Sequence, residues 1–177
     1  MCALDIRPAI ATDRLVLRGP VAADAPQIAE LAADGGVAAM TAKMPHPYGL
    51  ADAEAFVARC QAADANATPT FAIQHREFGV IGALGFDARA DGRPEVGYWL
   101  GRPFWGRGYA TEALKAALVW AKAGWGRNAV WAGHFADNRA SASVLIKAGF
   151  LYTGDVERPY SVARGDVAPT RMMVWLA

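Results

Sequence analysis

The chain has 177 residues, 54% of them hydrophobic, with 18 basic and 17 acidic side chains and a net charge of +1. That is one domain's length with ample material for a core, and the balanced charge leaves no footprint for nucleic acid. No apolar run is long enough to span a bilayer, residues 1–7 do not read as a secretory leader, and two distant cysteines, Cys2 and Cys60, make no disulfide framework, so the expectation is a single reduced, cytoplasmic domain over 1–177.

In chain order, Leu15 and Leu17 alternate with Arg14, Val16 and Arg18, the pattern of a half-buried strand. Asp24-Ala25-Pro26-Gln27 predicts a helix start, with Asp24 as cap, Pro26 in the first turn and Gln27 closing a capping box. Ile28, Leu31 and Ala32 supply its apolar face, and Gly35-Gly36 ends it. Pro45-His46-Pro47-Tyr48-Gly49 is a loop, and a second helix carries Ala53, Phe56, Val57 and Cys60 on one side. Strands over 70–74 and 80–86 flank a turn at Glu77-Phe78-Gly79, which predicts a hairpin. Asp91-Gly92-Arg93-Pro94 turns the chain into a strand that ends at Leu100. A central helix over 111–122 gives way at Gly124 and Gly126. A strand over 128–135, a helix over 138–148 and strands over 151–156 and 171–176 complete the chain. The order predicts an α+β fold, a mixed and mostly antiparallel seven-stranded sheet flanked by about four helices. The unit around 111–135 is its parallel crossover.

Residues 95–114 say most about function. Glu95-Val96-Gly97-Tyr98-Trp99-Leu100 reads as a strand, Gly106 and Gly108 punctuate a turn, and Leu114, Ala117, Leu118 and Ala121 recur at helical spacing. Glycines without Cβ let a ligand approach the backbone. The helix start offers unpaired N–H groups and a favourable dipole to a phosphate or pyrophosphate, and Arg107 adds a charged donor. A turn in which the glycines only satisfy geometry has the same pattern. There is no Gly-x-x-x-x-Gly-Lys-Ser/Thr, and Thr111 stands where a dinucleotide fingerprint needs its third glycine.

The stretch from Trp105 to Leu114 resembles the acyl-coenzyme-A pyrophosphate loop of the GNAT superfamily of N-acetyltransferases, Arg/Gln-x-x-Gly-x-Gly/Ala. Gly108 and Ala110 fill its last two defined positions and Trp105 replaces Arg/Gln, as in the branch resembling ribosomal-protein-alanine N-acetyltransferases. Thr12 to Arg18 is similar to that branch's first strand, Glu95 to Leu100 to its fourth, and Asn138-Arg139-Ala140-Ser141 with Lys147-Ala148-Gly149-Phe150 to its last helix and following turn. The resemblance implies splayed fourth and fifth strands, with the pantetheine arm of acetyl-CoA paired to the fourth as an added strand. Its cofactor residues map to Trp99, Leu100, Trp105, Gly106, Arg107, Gly108, Tyr109, Ala110, Thr111 and Asn138.

Aminolysis of a thioester needs a base for the amine, a donor for the developing oxyanion and, at times, an acid for the thiolate. It requires no metal, and the chain offers no His/Cys cluster of ligand spacing. An acyl-enzyme route needs an activated Cys, and neither Cys2 nor Cys60 has a His nearby in sequence. Glu95, at the start of the strand that would hold the thioester, is the candidate base. The alternative is a strand-end carboxylate paired with Arg93 or another base. Asn138 suits an N-cap, and by resemblance also contacts pantetheine. Many GNAT enzymes carry an acidic Tyr five residues before the aromatic of Gly-Phe, and here that position is Leu145. Ser141, one turn earlier on the same face, matches a serine of the branch and is the candidate to position the sulfur or relay a proton. An ordinary helical serine is the alternative. A tyrosine at 145 restores the usual acid only where the pocket has room for its ring.

His75 is expected at the hairpin surface, His46 at the acceptor site and His134 near the cleft, each otherwise a structural histidine. Tyr48, Phe104 and Trp105 are candidates for the acceptor wall or simply core, and Tyr152 and Tyr160 are further candidates at the cleft. The resulting expectation is acetyl transfer to a primary amine, either a protein N-terminus or a small molecule, by a monomer or homodimer. The competing expectation is a non-catalytic acyl-CoA-binding or regulatory module.

Overall fold

Leu15 and Leu17 have no exposed surface while Val16 and Arg18 are partly exposed, so the alternation read from the sequence becomes a strand with one face in the core. The computed structural model describes residues 8–177, so Cys2 and the segment 1–7 lie outside the described residues. The chain runs β1 (Ile10–Ala11), β2 (Leu15–Arg18), α1 (Ala25–Ala32), α2 (Gly35–Ala38), α3 (Leu50–Ala62), β3 (Thr70–His75), β4 (Gly79–Ala88) and β5 (Pro94–Leu100). It continues through α4 (Tyr109–Ala123), β6 (Ala129–Phe135), α5 (Arg139–Lys147), β7 (Leu151–Glu157), β8 (Tyr160–Ser161), β9 (Asp166–Val167) and β10 (Thr170–Leu176).

The main sheet has eight strands in the order β1-β2-β3-β4-β5-β6-β10-β7. Its pairs are antiparallel except β5 with β6, which run parallel and pair only at Glu95 opposite Trp131. From there toward Leu100 and Phe135 the two strands share no ladder, which is the expected splay. Alternation sends β-strand side chains to two cores. Phe71, Ile73, Val96 and Leu100 join α4 and α5 on one face, while Ala72, Val80 and Trp99 meet α1 and α3 on the other.

The seven strands and four helices expected are present, with additions that short segments conceal. β1 has only two residues, and β8 and β9 form a separate two-residue hairpin. Gly35-Gly36 does not end the helical region. The Asp34 carboxylate accepts the Gly36 N–H and starts the extra turn α2. His75 is not a surface residue. It is 7% exposed, accepts the Glu77 N–H at Nδ1, and its ring packs against Phe78 and Tyr109.

Asp24 does not cap α1 either. It accepts two bonds of 2.8 Å from the Arg18 guanidinium and one from the Val21 N–H. Gln27 reaches across to the β3–β4 turn, donating to the Phe78 carbonyl and accepting the Val80 N–H. Burial pushes the Asp24 carboxyl up, but the bonds from Arg18 and Val21 outweigh it and hold the group below its ordinary value. A depressed folded-state pKa contributes stability above the unfolded value, near 3.9, and loses it as pH falls. Asp24→Asn is therefore expected to cost about 2 kcal/mol at neutral pH. The difference from wild type should close progressively in acid, as pH falls below the unfolded carboxyl value, in urea melts at several pH values. A penalty that persists in acid would show that shape, not charge, holds this corner.

Candidate active site

The turn after β5 is built by two glycines that only a residue without Cβ holds easily. Gly106 sits at φ +71° and Gly108, the N-cap of α4, at φ +81°. The first backbone N–H groups of α4 have no helical partner, because the helix's first return bond is Glu112 N–H to the Gly108 carbonyl. A Cβ built at Gly106 meets nothing within 4 Å, so the approach to the loop is open. Trp105 donates its indole N–H to the Leu100 carbonyl at 2.7 Å, and Arg107 is exposed. The loop is braced from the turn just before β2. Arg14 donates to the Arg107 carbonyl, pairs with Glu112 at 2.6 Å and stacks its guanidinium 4.5 Å from the Tyr109 ring centre. Burial pushes the Glu112 carboxyl up, yet the bonds from Thr12 and Arg14 hold it lower than usual. Its charge is thus engaged by Arg14 and does not repel an anion at the helix start.

One side of the parted strands opens on a cavity of about 760 Å³, lined by Tyr48, Phe56, Trp99, Met172 and the carboxylates of Asp87, Glu95 and Glu157 among others. Glu95 is paired with Arg89, not with Arg93, which is bound to Asp91 in the turn. Arg89 also pairs with Glu157 of β7, and its guanidinium is held above its ordinary value, first by the Glu157 hydrogen bond. This clamp fixes the Glu95 carboxylate at the one point where β5 and β6 still touch. The β8–β9 hairpin ties down the segment whose Met40, Thr41 and Ala42 line the cavity. Ser161 donates to the Thr41 carbonyl, Val162 N–H to the Ala42 carbonyl, and Arg164 to the Ala39 carbonyl and both oxygens of Asp137.

The acetyltransferase (GNAT) domain family matches residues 14–151. The chain belongs to the GNAT family of acyl-CoA-dependent acetyltransferases. It is 34% identical over 95 residues to the uncharacterized N-acetyltransferase p20 of Bacillus licheniformis, covering 52% of this chain and 53% of that protein. The chain thus spans about half the length of the curated relatives it matches. Among solved structures, a ribosomal alpha-N-protein acetyltransferase in complex with coenzyme A superposes with a TM-score of 0.81 at 19% identity, covering 96% of this chain and 98% of the other. Spermidine N-acetyltransferase from Vibrio cholerae, in complex with CoA and spermine, gives 0.75 at 16% identity over 93% and 96%.

The GNAT frame sorts the remaining candidates. Trp99 lines the cavity, and Leu100 is buried in the core with its carbonyl taken by the Trp105 indole N–H. Asn138 caps α5, its side-chain oxygen accepting the Ser141 N–H at 3.1 Å. Ser141 in turn lies 2.9 Å from the hydroxyl of Tyr98. Tyr98 was not among the sequence candidates, although the alternation of Val96, Tyr98 and Leu100 puts it on the face opposite Glu95. Tyr48 lines the cavity, whereas Phe104 packs on the core and Trp105 stays with the loop. The His46 ring lies against Gly35 rather than in the cavity wall. His134 is buried at the cleft, its Nδ1 bonded to the Phe135 carbonyl and its Nε2 to the Tyr152 hydroxyl, while Tyr160 is exposed. Among the described residues no His/Cys/Asp/Glu group is placed to hold a metal ion, and no helix is long and apolar enough to cross a membrane.

Leu145, where many GNAT enzymes carry tyrosine, is fully buried in the core cluster. A tyrosine there has no vacant pocket to enter. Leu145→Tyr is expected to destabilise by about 1–3 kcal/mol through overpacking and to leave turnover no faster than wild type. Thermal melts and initial rates check this; a stable, faster variant would show that the site accepts a phenol.

Proposed function

We propose that the chain is an N-acetyltransferase that moves an acetyl group from acetyl-CoA to a primary amine by direct attack in a ternary complex. The observation that carries this reading is the parting of β5 and β6, with an open anion-binding loop at one end and the Glu95 cavity on one side. The backbone of residues 106–111 suits the pyrophosphate, with Arg107 and Trp105 beside it, and Tyr109 anchors the helix start through Arg14. The edge of β5 that faces the gap suits pantetheine pairing, although the Leu100 carbonyl there already accepts the Trp105 indole N–H, and Asn138 stands at the start of α5, on the far side of the gap. Glu95 takes the amine's proton, directly or through a water. Ser141 faces the departing sulfur.

The acceptor belongs to the class that relatives use. One solved relative is named for a ribosomal protein and another holds spermine. A cavity of about 760 Å³ with carboxylates at Asp87, Glu95 and Glu157 suits a small amine or the first residues of a peptide. Two-substrate initial rates test the direct-attack route. Intersecting double-reciprocal lines are expected. Parallel lines, with an acetylated protein isolated in the absence of amine, would replace it by an acyl-enzyme route.

A further inference from the structure

We propose that Tyr98 is the residue that aims Ser141 at the departing sulfur: its phenol donates to the Ser141 hydroxyl oxygen and leaves the serine O–H free to donate into the gap between β5 and β6. This rests on the acetyl-transfer reading above. Tyr98 Oη lies 2.9 Å from Ser141 Oγ and 3.4 Å from the Ser141 carbonyl oxygen. Either hydroxyl can donate across the 2.9 Å contact; the phenol is the more acidic of the two and this is its shorter contact, so it donates to the serine oxygen. Burial pushes the Tyr98 phenol up to about 12, and it keeps its proton throughout the neutral range. The Ser141 N–H is already taken by Asn138. The serine is therefore held at its backbone by the cap and at its oxygen by the phenol, and its own proton is the free donor.

The location matters as much as the bond. Tyr98 stands on β5 and Ser141 in the first turn of α5, which follows β6, so their contact bridges the two strands that have parted. Leu145, one turn beyond Ser141, is fully buried and has no hydroxyl. The phenol that holds Ser141 comes instead from β5, across the gap.

In the reaction the amine lone pair forms the C–N bond, and the C–S bond breaks with its electron pair on sulfur. The amine's surplus proton goes to Glu95. Ser141 holds the new thiolate by a hydrogen bond without surrendering its proton, and the coenzyme takes a proton from water after release. Tyr98 touches no reacting atom and is a positioning residue.

Tyr98→Phe, Ser141→Ala and the double variant test this, because phenylalanine keeps the ring in the core. Tyr98→Phe is expected to lower kcat about tenfold with the acetyl-CoA KM unchanged, and the double variant should be no slower than Ser141→Ala. Additive losses, or a Tyr98→Phe variant with wild-type kcat, would overturn the assignment. A readout without any amine separates it from the acetyl-transfer reading. The thiolate absorbance of bound coenzyme A, followed against pH, should titrate below the free thiol in wild type and return upward by about half to one unit in Tyr98→Phe. An identical titration in both proteins would overturn the role of Tyr98. A wild-type protein that acetylates no amine would instead sink the acetyl-transfer reading, and the titration would still decide the hydroxyl pair.

Discussion

Glu95→Gln is expected to lower turnover at neutral pH by about 100-fold or more, the scale of a lost general base, while acetyl-CoA binding stays unchanged. The substitution keeps the side chain's shape and removes its proton acceptor. Arg89 retains Glu157 as a partner, so the clamp between β5 and β7 loses one ion pair and keeps the other. The deficit should shrink as pH rises, because more of the amine is then already neutral. For an α-amino acceptor, with a pKa near 7.7–8.0, it narrows just above neutrality; for a lysine-like amine, near 10.4, only well into the alkaline range. Initial rates against pH for both proteins measure this. Glu157→Gln is the control, since it breaks the same clamp from the other side and leaves the base in place. A Glu95→Gln variant with wild-type turnover at neutral pH would reduce Glu95 to a structural partner of Arg89.

Gly108→Val should abolish useful affinity for acetyl-CoA. At φ +81° a branched residue is strained by about 1–2 kcal/mol. Its side chain also projects from the N-cap of the helix whose free N–H groups would hold the pyrophosphate. Losing one or two charge-assisted bonds predicts a rise in the acetyl-CoA dissociation constant of about 30–100-fold. Gly126→Val separates strain from site, because Gly126 has φ +69° and nothing within 4 Å of its Cβ position, and it lies beyond the other end of α4. The two variants should melt at similarly reduced temperatures, and only Gly108→Val should lose binding by calorimetry. Equal affinities in the two variants would remove the loop from the cofactor site.

The parts of the site that depend on local chemistry were legible in the residues. Gly106 and Gly108 follow a strand and precede a helix, and both take the positive φ that a tight glycine turn requires. Glu95 begins the strand before it, and Asn138 is the cap its residue type predicts. What escaped were contacts set by register and distance. Whether Arg89 or Arg93 meets Glu95 depends on how the turn folds back, and there the Arg89 N–H bonds the Arg93 carbonyl while Arg93 pairs with Asp91. Tyr98 and Ser141 are 43 residues apart, and nothing in either neighbourhood announces the other. His75 reads as a hairpin-end histidine until Tyr109 and Phe78 cover it. Leu145 reads as a missing acid, and the structure places it fully buried in the core cluster. The β8–β9 hairpin has strands too short for any periodicity, yet through Ser161, Val162 and Arg164 it holds the 39–42 segment that borders the cavity.

The measurement closest to the central claim is the stoichiometry of product formation by wild-type protein. Acetyl-CoA is supplied with a panel of N-terminal peptides, polyamines and aminoglycosides, and free thiol and acetylated amine are quantified together. At least one amine should give one thiol released per amide formed, at a rate that Glu95→Gln suppresses. Acetyl-CoA that binds at the loop and stays intact with every amine would contradict the account and leave a non-catalytic acyl-CoA-binding module.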